Sequence, residues 1–265
     1  MARGPNHISY EVDSLSTFMQ RIESLLGETA EPIWFRGVGR GRSHHLAPSL
    51  YRHPTLDDDD LFLALEARLL GGFYDRGIPF SVDLPRDQIE LLLVMQHHGA
   101  PTRLLDWSTD PLMSLYFALN YRKPTESEPA TVWVLNPTAL NRLSLRDVSF
   151  PGGILDTRSE FIDGYRPGET PRRRGPVAIT AMHNTRRIVS QRGTFVLFGA
   201  DRTPLDQSEY FRRQQAGWTA CRINIPPQYV NLIRENLARI GYSATAVFPD
   251  LDSVSKELRL LEGFE

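Results

Sequence analysis

The chain has one cysteine, Cys221, and only two lysines, Lys123 and Lys256, among its 30 basic residues. A single thiol excludes an internal disulfide and any zinc site built on several thiolates. No activating pattern surrounds Cys221, which is expected to sit passively in a strand. No apolar run approaches the roughly 20 residues needed to span a bilayer, and Met1 to Tyr10 lacks the apolar centre of a signal peptide. The expectation is a soluble, cytoplasmic protein with no membrane contact. A net charge of −2 argues against a nucleic-acid binder that works by bulk charge alone. Internal repeats and low-complexity tracts are also lacking.

What is present suffices for a substantial core: 265 residues, 41% of them apolar, read as one domain over residues 1–265, with 1–30 as an N-terminal helical extension. The basic residues other than the two lysines are 28 arginines. Arginine clamps phosphates bidentately, although a genome of high GC content also favours its codons.

Spacing predicts a helix over Ser16 to Leu26, a strand over Pro32 to Val38 and a helix over Asp57 to Tyr74, whose acidic start suits the positive end of the helix dipole. A third helix starts at Asp87, with Glu90 completing a capping box, and closes at His97-His98-Gly99. Leu104 to Trp107 is a short apolar segment. Asp110 as N-cap and Pro111 at the first helical position then start a helix to about Tyr121. Further strands are predicted at Thr131–Leu135, Val177–Met182, Thr194–Phe198, Cys221–Ile225 and Ala244–Phe248, and further helices at Gln228–Ile240 and Asp252–Leu261. Pro151 to Gly175 reads as a long loop. The fold class is α+β, a mixed α/β domain.

Three segments concentrate polar groups where the chain changes element. Arg36 lies in Trp34-Phe35-Arg36-Gly37, an apolar strand in which a guanidinium is costly to bury unless an anion or a carboxylate meets it. Gln96 to Trp107 packs His97, His98, Arg103 and Asp106 into a helix end, a turn and a short strand. Adjacent histidines leave a helix in different directions, which disfavours a shared metal, and Arg103 and Asp106 could pair structurally. Ser108-Thr109-Asp110-Pro111 opens a helix whose first N–H groups would suit a phosphate, unless Asp110 simply caps them.

Phe35-Arg36-Gly37, the block Gln96-His97-His98-Gly99-Ala100-Pro101-Thr102-Arg103-Leu104-Leu105-Asp106-Trp107, and Gln191-Arg192-Gly193-Thr194-Phe195 together resemble the FRG domain family, as does Phe248-Pro249-Asp250-Leu251. The order of segments also resembles, more weakly, the arginine-type ADP-ribosyltransferases. That likeness implies a central split β-sheet flanked by helices and NAD as substrate, with no metal. In that scheme Arg36 holds an NAD phosphate beside Gly37 and Arg103, Ser108 and Thr109 support the nicotinamide ribose, and Tyr116 or Phe117 packs the nicotinamide pocket. The family's catalytic glutamate is replaced here by Gln191, which supplies a hydrogen bond but no charge. Asp106 or another carboxylate such as Glu209 would then contribute the charge, with His98 a further catalytic candidate.

The resemblance implies a mono-ADP-ribosyltransferase acting as an intracellular toxin or antiphage effector, with an antitoxin protein as partner. Nucleic acid is an expected acceptor, guided by Arg172-Arg173-Arg174 and Arg186-Arg187, with Tyr210 or Trp218 for base stacking. Two alternatives stay open: a nuclease using His97 or His98, and a non-catalytic nucleotide- or partner-binding module.

Overall fold

Residues 130–135, Ala-Thr-Val-Trp-Val-Leu, are apolar on both faces, as expected of a strand covered above and below. They form the wholly buried β4 (Ala130–Leu135). The structure, a computed structural model, describes residues 8–54, 58–81, 84–123, 125–168, 175–180, 192–212, 218–248 and 251–264. Around β4 lie β1 (Ile8–Glu11), β2 (Trp34–Val38), β3 (Leu104–Ser108), β5 (Leu155–Asp156), β6 (Val177–Thr180), β7 (Gly193–Leu197) and β8 (Ala220–Ile225). Among the described residues they make one sheet in the order β1-β8-β4-β2-β3-β7-β6-β5. The β1–β8 and β5–β6 pairs are parallel and the others antiparallel, an α+β arrangement.

Pairing is continuous on either side of the centre. The β2–β4 register runs from Trp34↔Leu135 to Val38↔Thr131, and the β3–β7 register from Leu104↔Leu197 to Ser108↔Gly193. Between β2 and β3 only Phe35 and Ser108 pair. The sheet therefore opens at its middle.

Cap chemistry sets the helices. Ser14 and Thr17 form a capping box ahead of α1 (Leu15–Gly27), and Asp58 accepts the Asp60 and Leu61 amides ahead of α2 (Asp59–Gly77). The acidic run thus serves as a helix start. Asp87 caps α3 (Gln88–His97), and Asp110 caps α4 (Pro111–Asn120). Next come α5 (Pro137–Ser144), the short α6 (Glu209–Arg212), α7 (Pro227–Arg239), the short α8 (Ala244–Val247) and α9 (Leu251–Leu261). On one face of the sheet, Phe35, Val132, Val134 and Ile223 pack against α1, α4 and α7. Trp34, Trp107 and Trp133 belong to a cluster on the other face.

Over the described residues of 1–30, β1 pairs with β8, and Phe18, Ile22 and Leu25 of α1 sit in the main apolar cluster. Two expectations need correction. Ala244 to Val247 is helical rather than a strand. Glu257 of α9 accepts from the Ser243 hydroxyl and the Thr245 amide, and the outer edge of β8 is already taken by β1. Within the stretch expected as a long loop, residues 151–168 carry β5 and a 3₁₀ turn over Glu160–Tyr165 whose Ile162 and Tyr165 are buried.

Candidate functional site

Where β2 and β3 part, the chain leaves a cleft of about 260 Å³. Phe35, Arg36 and Gly37 line it from β2, and Asp106, Trp107 and Ser108 from β3. Gln96 and His97 contribute from the end of α3, Ser114, Phe117 and Tyr121 from α4 and its exit, and Gly193 and Phe195 from β7.

Arg36 bridges the opening. Its Nη1 donates to the Asp106 carbonyl at 2.5 Å, so a side chain satisfies a strand edge that the parted ladder leaves unpaired. Its Nε is buried and has no partner among the described residues. Burial holds the guanidinium's pKa below its usual value, opposed by the Asp106 charge and reinforced by Arg52. Arginine nonetheless stays charged, so this is a desolvated cation with an unused donor. Nearby, burial and then Arg36, Arg52 and Arg40 push His44 down to about 4, leaving it neutral at pH 7.

Gly37 is required by packing. A Cβ there would lie 1.8 Å from the Ser114 carbonyl oxygen, so only glycine lets α4 seat against β2. Asp106 is exposed to the cleft, and its carboxylate accepts from Gln96 Nε2 at 2.8 Å. The Gln96 Oε1 in turn accepts from the Thr102 hydroxyl, which itself accepts from the Leu104 amide at 3.1 Å. This chain of bonds fixes the carboxylate relative to the strand that carries it.

Ser108 is buried in the wall, where its hydroxyl accepts from the Asp110 amide at 3.0 Å. Thr109 is exposed and absent from the lining. Asp110 accepts from the Leu112 and Met113 amides at 2.9 and 3.0 Å, and the Tyr242 hydroxyl donates to it at 3.1 Å. The α4 amides proposed for a phosphate are therefore capped from within. Phe117 lines the cleft, with ring centroids 5.5 Å from Tyr121 and 5.9 Å from Phe248. Tyr116 is instead buried in the main cluster.

Arg103 is displaced from its expected role. It is fully buried, donating from Nε to Glu66 of α2 at 2.5 Å, from Nη1 to the Phe198 carbonyl at 2.9 Å and from Nη2 to the Tyr165 carbonyl at 2.5 Å. It lines no part of the cleft and pairs with Glu66 rather than Asp106. His98 is exposed and faces a different groove, between α2 and α3, whereas His97 lines the cleft. Tyr210 and Trp218, expected to stack on bases, are buried in apolar clusters, and Glu209 does not line the cleft. Gln191, Arg172 to Arg174, and Arg186 and Arg187 lie outside the described residues, although Gly193, two positions after Gln191, reaches the cleft.

Sequence reasoning assigned no role to Gln96, Ser114, Tyr121 or Phe195. Gln96 carried a signal, being a polar residue at the last turn of an apolar helix and ten positions before Asp106. Cys221 is buried, and burial pushes its thiol up to about 12, which fits a passive role. Among the described residues no group of three or more His, Cys, Asp or Glu side chains is placed to hold a metal, and no helix is long and apolar enough to cross a membrane.

Residues 31–127 match the family model of the FRG domain, a span that includes Phe35-Arg36-Gly37 and the whole block from Gln96 to Trp107. Neither the curated proteins nor the solved structures gave a match.

Proposed function

We propose that this chain is an NAD-dependent mono-ADP-ribosyltransferase whose donor is held in the cleft between β2 and β3. The observation that carries this reading is Arg36: a half-buried arginine whose buried Nε has no partner among the described residues, on the lining of a cleft that also contains a carboxylate. Such a cation calls for an anion, and a donor phosphate would meet it with charge-assisted hydrogen bonds. The fit extends to the other walls, where Ser108 offers a hydroxyl for the ribose and Phe117 and Phe195 offer faces for an aromatic ring.

In the transfer, the bond from ribose C1′ to nicotinamide breaks and its electron pair passes to the ring nitrogen. A lone pair of the acceptor then bonds to C1′ while the acceptor gives up a proton. Positive charge develops on the ribose in between. Asp106, oriented by Gln96, stabilises that charge electrostatically and so supplies what Gln191 lacks. Gln191 is assigned the hydrogen bond to a ribose hydroxyl. We further propose that the acceptor is nucleic acid and that the activity serves as an intracellular toxin or antiphage effector, restrained by an antitoxin protein.

Purified protein mixed with labelled NAD and with RNA, DNA or protein tests the reading. Nicotinamide release and label transfer are expected, both lost in a folded Arg36→Ala variant. A folded native protein that does neither overturns it. One observation favours a second reading, a phosphodiester hydrolase: His97 lines the same cleft as Arg36 and would serve as general acid or base. That reading predicts shortened nucleic acid with no need for NAD.

A further inference from the structure

The cleft, at about 260 Å³, falls below the roughly 300–1,000 Å³ of pockets that enclose a drug-sized ligand. A dinucleotide anchored at Arg36 must therefore leave part of its length outside. Tyr121 is shared between this cleft and a second, polar pocket of about 600 Å³. Arg40, Arg122 and Lys123 line that pocket, with Glu126 as the one carboxylate of its lining.

Arg122 resembles Arg36 in its bonding. Its Nη2 donates to the carbonyls of Glu126 and Glu128 at 2.7 and 2.9 Å, while Nη1 is buried with no partner among the described residues. Glu128, the next carboxylate, is committed to the backbone, accepting from the Arg42 and Ser43 amides at 2.8 and 3.0 Å. A Cβ on Gly39 would lie 2.3 Å from the Tyr121 carbonyl, so the loop that carries Arg40 is pressed against the segment that carries Arg122. The Arg40 side chain is exposed and, among the described residues, its charge acts on Glu128 without a direct hydrogen bond or ion pair. Two guanidinium groups with unused donors and an ammonium thus converge where the cleft runs out. Cations gathered in excess of the carboxylates around them repel one another unless an anion joins them.

We propose that Arg40, Arg122 and Lys123 form a phosphate subsite for the part of a nucleotide that the cleft cannot hold, the two sites meeting at Tyr121. This rests on the dinucleotide reading of the cleft, and the test separates the two. The full-length chain is titrated calorimetrically with NAD, with inorganic pyrophosphate and with nicotinamide riboside, which carries no phosphate. In Arg40→Ala and in Arg122→Ala, affinity for NAD and for pyrophosphate is expected to fall at least tenfold, with nicotinamide riboside binding unchanged. Arg40→Ala removes an exposed side chain without fold-bearing bonds, so its result stands even if Arg122→Ala unfolds. Unchanged pyrophosphate affinity in Arg40→Ala overturns the subsite. NAD binding that depends on Arg36 but not on Arg40 or Arg122 also overturns it, and leaves the cleft reading intact. Pyrophosphate binding lost in Arg40→Ala, in a protein that binds no NAD, supports the subsite and removes the dinucleotide from the cleft.

Discussion

Within Phe35-Arg36-Gly37 each residue meets a different demand. Phe35 fills the core beneath α4, Arg36 closes an unpaired strand edge with its side chain, and Gly37 gives α4 room. The Gly37 demand is the hardest sterically, because the colliding atom belongs to backbone and cannot rotate away. Gly37→Ala is therefore expected to destabilise the protein by about 3 kcal/mol or more, measured by urea unfolding. The charge of Arg36 is tested through His44. Burial, Arg36, Arg52 and Arg40 all oppose protonation of this imidazole, and only Asp206 favours it. With a folded pKa of about 4 against an ordinary 6.5, the unfolded chain binds the proton more readily between those values. The stability tied to His44 is thus complete above pH 6.5 and is lost as the pH falls toward 4. Removing one opposing charge in Arg36→Ala should move the His44 imidazole resonance titration upward, toward 6.5. An unmoved titration would mean that the Arg36 guanidinium lies away from His44.

At the scale of elements, the segment from Gln96 to Trp107 divides its work between the two sides of β3. Asp106 faces the cleft under the control of Gln96, and Arg103 ties the start of β3 to α2 through Glu66. Breaking that buried pair by Arg103→Ala leaves a carboxylate without its partner and should cost about 3–5 kcal/mol in urea unfolding. The same logic shows what the sequence made legible. Helix starts at Asp58, Asp87 and Asp110 could be read because a cap and the amides it accepts lie within three residues. Arg36 and Arg103 look alike in sequence, each an arginine beside apolar residues. Only a partner 37 positions away distinguishes them, and no local pattern reports it. For the same reason Ala244 to Val247 reads as a strand until Glu257 and the occupied edge of β8 are taken into account. Of the residues expected at the candidate site, Arg36, Asp106, Ser108 and Phe117 line the cleft. The choice of His97 over His98 and of Phe117 over Tyr116 depends on helix phase against neighbouring elements, which sequence leaves open.

For the whole molecule, the decisive feature is a sheet parted at its centre. Continuous pairing on both flanks holds β2 and β3 in place, while their single shared pair leaves the cleft between them. Neither flank alone makes the site, since Arg36 comes from one and Asp106 from the other. The central claim is that these two groups act on a bound dinucleotide, one as anchor and one as charge stabiliser. Nicotinamide release from NAD, compared among native protein, Arg36→Ala and Asp106→Asn, tests it most directly. Asp106→Asn keeps the shape of the side chain and removes its charge. It should bind NAD with native affinity yet release nicotinamide at least about 100-fold more slowly, a loss of about 2.7 kcal/mol in transition-state stabilisation. Arg36→Ala should lose NAD affinity itself. Native rates in a folded Asp106→Asn variant would contradict the account.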